Sequence, residues 1–219
     1  MNIIIAFLQW LFGIKPVVAD AVKTQEAGTP RPDVQVVAPV IKTGGTRPYM
    51  TQAMIALLAA IRSAEAGKAG YNADFRNDDK WVLTNKTFDQ FRGLARSQVT
   101  QGEASSALGG YQFITTTLDS LKASLHLTGN EIMNPAMQDD LAVALMIRRG
   151  YMEYMAGRMN PSTFCNNLAK EWASLPVVTS IQGAHRALKV GQSYYAGDGL
   201  NKALHTASEI ISLVSALKG

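Results

Sequence analysis

Met54, Leu58, Ile61 and Glu65 follow one another at spacings of four, three and four residues. That rhythm puts all four on one face of a helix and leaves little room for any other local structure between them. Three of the positions are apolar and belong to a core, while the fourth is a carboxylic acid placed just before Gly67 and Gly70. Thr51 is a suitable N-cap, and the two glycines are suitable terminators. An ionised carboxylate on a half-buried apolar face is costly, and desolvation raises its pKa toward neutrality. Periodicity alone leaves two roles open for Glu65: a helix-end carboxylate that reaches out to water, or a proton-holding acid at the mouth of a cleft.

Later in the chain, Asn134-Pro135 and Asn160-Pro161 each join a capping side chain to a proline in the first helical turn. The first opens a broadly apolar, central helix through Leu141, Leu145, Arg148 and Met152. The second opens a helix through Phe164, Leu168 and Trp172 that ends before Pro176. A helix is also expected over about 116–125, and Asp198 is placed to cap a last one carrying Leu200, Leu204, Ala207, Ile211 and Val214. Residues 71–106 are polar apart from the clusters 81–83 and 88–94, and read as loops, a short irregular sheet and one short helix. The fold class is therefore α+β: mostly helical with a small β or loop lobe.

Ahead of this domain, 49–219, lie two segments of different character. Residues 1–22 begin with an apolar run, Ile3-Ile4-Ile5-Ala6-Phe7-Leu8 and Trp10-Leu11-Phe12, that ends by Ile14. A bilayer span needs about 20 apolar residues, so this run has the length of a signal-peptide core, and Ala19-Asp20-Ala21 has the form of a cleavage site. No Lys or Arg precedes it, which leaves a membrane-surface anchor or a docking peptide for an assembly as the other readings. Residues 23–48 interleave Pro30, Pro32, Pro39 and Pro48 with Gly28, Gly44 and Gly45, and read as an extended linker.

Net charge is +4 with pI near 9.2, a balance suited to an anionic polymer. No basic run or basic–aromatic stripe accompanies it, so specific nucleic-acid binding is not expected. Cys165 is the single cysteine, which excludes an intrachain disulfide; with His126, His185 and His205 scattered, neither a metal nor an organic cofactor is expected. Cys165 reads as a small buried apolar residue, and Trp172 as core.

Five segments, in order, resemble the phage lambda endolysin family. Ser63-Ala64-Glu65-Ala66-Gly67 is similar to its serine-x-glutamate region, and Gly109-Gly110-Tyr111-Gln112-Phe113 to its glycine-x-tyrosine-glutamine segment. Asn134-Pro135 with Gln138-Asp139, then Arg149-Gly150, resemble a helix start and an arginine-glycine pair of that family. Glu171-Trp172-Ala173-Ser174-Leu175-Pro176 resembles its tryptophan-alanine-serine-leucine-proline, the most specific of the five. The loop after the catalytic helix departs from the family pattern, with Asn77-Asp78-Asp79-Lys80-Trp81 in its place.

The resemblance implies a lysozyme-like fold and cleavage of peptidoglycan between N-acetylmuramic acid and N-acetylglucosamine, by a monomeric domain acting in the bacterial periplasm. Its catalytic glutamate carries over to Glu65, and its glycan contacts to Gly110, Tyr111 and Gln112. Members of this family act as lytic transglycosylases, with one glutamate serving first as acid and then as base. A hydrolytic muramidase needs a second carboxylate about 6.5–9.5 Å away to activate water. Asp74, nine residues after Glu65, has the spacing of the acid pair in T-even phage lysozymes, although the threonine expected six residues later is Lys80. Asp78, Asp79 and Glu103 are other acids of the same region. A non-catalytic wall-binding virion module of the same fold is the rival from another class. An exported or membrane-tethered lysis enzyme and a virion component that opens the wall at entry are both compatible with residues 1–22.

Overall fold

The computed structural model describes residues 47–219, so the apolar segment and nearly all of the linker lie outside the described residues. Seven α-helices and one 3-10 turn make up nearly half of the described chain. Helix α1 (Gln52–Ala66) opens at Thr51, whose hydroxyl accepts the Met54 amide at 3.2 Å. It buries Met54, Leu57, Leu58 and Ile61, the face expected from the spacing. It stops at Gly67, where φ of 51° and ψ of −138° define a conformation that only glycine adopts at low cost. A 3-10 turn (Gly67–Asn72) follows.

Helix α2 (Phe88–Thr100) is longer than the short helix expected in this region, and it starts with a capping box between Thr87 and Gln90. It packs on α3 (Thr115–Ser124). Helix α4 (Pro135–Arg148) is capped by Asn134 and buries side chains around most of its circumference, as a helix inside a core must. It does not run on to Met152: Gly150, at φ 100°, breaks the chain before α5 (Tyr151–Met155). Helix α6 (Pro161–Ala169) is capped by Asn160 and ends three residues before Trp172.

Two expectations are corrected here. The strands are not in 71–106: among the described residues the one sheet pairs β1 (Ile181–Gln182) with β2 (Ala187–Leu188), antiparallel. The polar stretch is held by an isolated bridge, Thr87 with Ile132, and by side-chain bonds such as that of Asn72, whose Oδ1 accepts the Leu83 amide at 2.8 Å. The last helix, α7 (Ala207–Ala216), is capped by Thr206 and Glu209 rather than Asp198, which instead accepts the amides of Leu200 and Asn201 in a tight turn. Leu200 and Leu204 therefore stay outside the helix and are exposed.

Helix α7 packs against α1 and α6, closing the core around Trp172, Phe164 and Tyr154. The Tyr154 and Phe164 rings stack at 5.0 Å, and the Tyr154 hydroxyl donates to the Val214 carbonyl at 3.0 Å. Arg47 and Tyr49 fasten the start of the domain by donating to Asp140 on α4. No helix of the described residues is long and apolar enough to cross a membrane.

Candidate active site

The C-terminal end of α1 opens onto a cleft of about 640 Å³. Glu65 lines it, with Phe75 and Asn77 from the following loop, Tyr111, Gln112 and Phe113 from the glycine turn, and Lys170–Ser174 after α6. Two acids line the cleft among the described residues, Glu65 and Glu171, and their surroundings differ completely. Glu171 is clamped by Arg148 at 2.9 Å and Arg149 at 2.7 Å. Glu65 has no Lys or Arg at ion-pair distance among the described residues; its Oε1 accepts the Ser174 backbone N–H at 3.0 Å.

Burial drives the Glu65 carboxyl above the ordinary glutamate range; Ser174, through its side chain and amide, and the nearby His205 pull the other way without reversing the shift. The arrangement gives an acid that retains its proton longer than a free glutamate and sits at the edge of a groove. His205 also bonds to the α1 backbone, with Nε2 3.1 Å from the Ala60 carbonyl oxygen.

The Ser174 amide is placed by local chain geometry. After α6 the chain turns through Trp172, whose amide donates to Leu168 at 3.0 Å, and Leu175, whose amide donates to Trp172 at 3.1 Å. The Ser174 carbonyl accepts from Leu204 at 2.8 Å, which anchors the segment from the far side. Trp172 is only 2% exposed, so its side chain serves mainly as core while contributing to the cleft wall.

Asp74 does not line the cleft. Its Oδ1 accepts the amides of Arg76 at 2.8 Å and Asp78 at 3.0 Å, and its Oδ2 meets Lys80 Nζ at 3.0 Å. Burial alone would raise its pKa, but the Asp78 amide, Lys80 and the Arg76 amide together hold it below the usual range. Asp74 therefore organises the turn that presents Phe75 and Asn77 to the cleft. Glu103 pairs with Arg76 at 2.6 Å, and Asp78 and Asp79 are exposed.

The glycine turn shows why its residues are of the types observed. Gly109 has φ 77°, and a β-carbon there would lie 2.6 Å from Gln138 Oε1 and 2.7 Å from the Phe91 ring. That same Gln138 oxygen accepts the Gly110 amide at 2.8 Å, so Gly110 is pinned beneath the cleft and is not on its wall. Tyr111 belongs to the cleft lining although it is almost wholly buried, and its hydroxyl donates to Asp139 at 2.6 Å, alongside Tyr71 at 2.8 Å. Arg62, one turn before Glu65 on α1, adds its guanidinium 3.7 Å from the same carboxylate. Gln112 faces the cleft and donates to the Asp74 and Gly109 carbonyls at 3.2 and 3.1 Å. The Gly110–Tyr111–Gln112 segment and Gln138-Asp139 thus meet in one network that ties α4 to the C-terminal part of α1.

Phe75, Asn77, Arg149, Lys170 and Ser174 line the cleft without having been singled out from side-chain chemistry. For Ser174 the operative group is a backbone amide, which no side-chain pattern displays; its place inside the tryptophan-alanine-serine-leucine-proline segment was the available signal. Cys165 is fully buried, its thiol pushed up to about 12 by burial, and it is remote from the cleft lining. No group of His, Cys, Asp or Glu among the described residues has the clustering a metal ion requires.

A fold of packed helices with a half-buried glutamate at a cleft edge, without a cation paired to it among the described residues, is an architecture suited to acid-catalysed cleavage of a bound polymer. The family model of endolysins matches residues 55–200, two-thirds of the chain, and the protein belongs to that family. It is thereby one of the phage enzymes that lyse the bacterial cell wall, with peptidoglycan as substrate. Comparison with curated proteins finds no match, and comparison with solved structures finds none either.

Proposed function

We propose that this endolysin cleaves the bond between N-acetylmuramic acid and N-acetylglucosamine as a lytic transglycosylase, with Glu65 as its single acid and base. The observation that carries the reading is the inequality of the acids near the cleft. Glu65 is half-buried, has no cation paired to it among the described residues and is held above the ordinary glutamate range by desolvation, while Glu171 and Asp74 are held by cations. In the forward step the Glu65 carboxyl gives its proton to the glycosidic oxygen as the C1–O bond breaks. The resulting carboxylate then takes the proton of the muramic C6 hydroxyl as that oxygen closes on C1. No water is consumed, Glu65 ends as it began, and the product is a 1,6-anhydro-muramic end. A positioned internal hydroxyl removes the need for a water-activating carboxylate, because the reacting oxygen is already tethered beside C1.

Within this reading Gln112 and Tyr111 form part of the glycan groove, together with Phe75 and Asn77. The test is the chemistry of the released ends. Digestion of purified peptidoglycan in oxygen-18 water is expected to give 1,6-anhydro-muropeptides without label. Reducing muramic ends carrying one heavy oxygen would overturn the transglycosylase reading and return a water-activating base to the mechanism.

A further inference from the structure

The wall of the cleft beyond Glu65 is strongly cationic. Arg148, Arg149, Lys170 and Lys202 all line it, against Glu171 as the one paired anion. Glu171 occupies only part of the donor capacity of the two arginines. Arg149 spends Nε on Glu171 and an Nη2 hydrogen on the Lys170 carbonyl at 3.1 Å, and a guanidinium has five N–H donors in all. Arg148 is 41% exposed at its side chain. Lys202 is exposed and forms no ion pair among the described residues, and the Lys170 ammonium has the neutral Asn167 oxygen at 3.2 Å. Even with Glu65 counted as an anion, the cleft lining carries four cations against two carboxylates.

A glycan made of hydroxyl and N-acetyl groups offers nothing for such a wall to neutralise. The anions of peptidoglycan are the free carboxylates of its peptide stems, and each stem leaves the muramic ring next to the bond being cut. The Lys170–Ser174 segment joins the two features directly, starting in the cationic wall and ending at the amide that holds Glu65. We propose that Lys170, Lys202 and the free donors of Arg149 bind a carboxylate of the stem peptide, so that the enzyme reads peptide-bearing glycan in preference to bare glycan. The inference rests on the proposed glycan cleavage, and it assigns to the same cleft a second recognition element for a peptide carboxylate.

Two measurements on the full chain separate this proposal from the reading beneath it. The first compares kcat/KM on peptide-bearing strands with kcat/KM on strands stripped of peptide, for wild type and for K170Q/K202Q. Wild type should favour peptide-bearing strands by about fivefold or more, the upper scale of one partly exposed charge pair. The double variant should bring that ratio close to one. An unchanged ratio, or no preference in the wild type, would overturn the stem-peptide site while leaving glycan cleavage intact; failure of wild type to cut either strand would remove the proposed function itself. The second measurement avoids catalysis. In the E65Q background, with folding checked by circular dichroism, a disaccharide-peptide with free carboxylates should bind several-fold tighter than its amidated counterpart, and K170Q/K202Q should abolish the difference. Equal affinity for the two ligands would count against the site.

Discussion

Glu65 and Asp74 stand nine residues apart, and the structure gives the two acids opposite surroundings. Asp74 sits where the chain must turn sharply, so two backbone amides and a lysine converge on its carboxylate. Glu65 sits where an apolar helix face runs out into a cleft, with one amide and, among the described residues, no cation paired to it. The first environment stabilises negative charge, and the second penalises it. Sequence spacing alone makes the two look like partners; only the surrounding donors separate a structural acid from one suited to proton transfer.

The largest effect expected from breaking this contrast is at Glu65. Glu65→Gln should lower wall-clearing activity by at least about 10²-fold, the usual scale for a general acid, with the fold retained. Because the folded-state pKa of Glu65 is raised, its proton-linked stability is fully present below the unfolded value and is lost as pH rises through the folded one. The Tm difference, variant minus wild type, should therefore increase from acid toward neutral pH. A difference that shrinks over that range would mean the carboxylate form is the favoured one.

Asp74→Asn should show the reverse pattern. Losing the charge on a buried, hydrogen-bonded group should cost about 1–3 kcal/mol near neutrality. Since the folded pKa of Asp74 is lowered, that stabilisation exists above the unfolded value and fades as pH falls through the folded one, so wild type and variant should converge in acid. Activity per folded molecule should stay within about tenfold of wild type, since no reacting group has been removed. A loss comparable to that of Glu65→Gln would give Asp74 a role in the chemistry.

Tyr111→Phe sharpens the comparison further, since this residue belongs to both cleft and scaffold. Its hydroxyl is committed to Asp139, so the substitution should lower stability by about 1 kcal/mol in denaturant titrations. Its effect on kcat/KM should be less than about tenfold. The smallest effect is expected at the domain boundary. A chain beginning at Arg47 retains the anchor to Asp140 and should unfold cooperatively and cleave purified peptidoglycan close to the full-length rate.

Much of this organisation was legible before any coordinates. The α1 face follows from a 3.6-residue rhythm, and both Asn-Pro pairs announce helices because cap and proline chemistry act locally. Thr206-x-x-Glu209 was equally readable as a capping box, yet the four-residue spacing of Leu200 and Leu204 imitates a helix face in a stretch that turns at Asp198. The sheet escaped because two-residue strands are too short to show alternation. The position of Glu65 at a cleft was legible, but its surroundings were not. Ser174 acts through a backbone amide, and the pairing of Glu171 with two arginines from α4 and its cap depends on contacts more than twenty residues apart.

The contrast between the two acids can be measured directly by carbon-13 NMR titration of the side-chain carboxyls, assigned through Glu65→Gln and Asp74→Asn. Glu65 is expected to titrate above the ordinary glutamate value, about 4.3, and Asp74 below the ordinary aspartate value, about 3.9. A Glu65 carboxyl that titrates at or below the ordinary glutamate value would contradict the central claim that this glutamate is held ready as an acid.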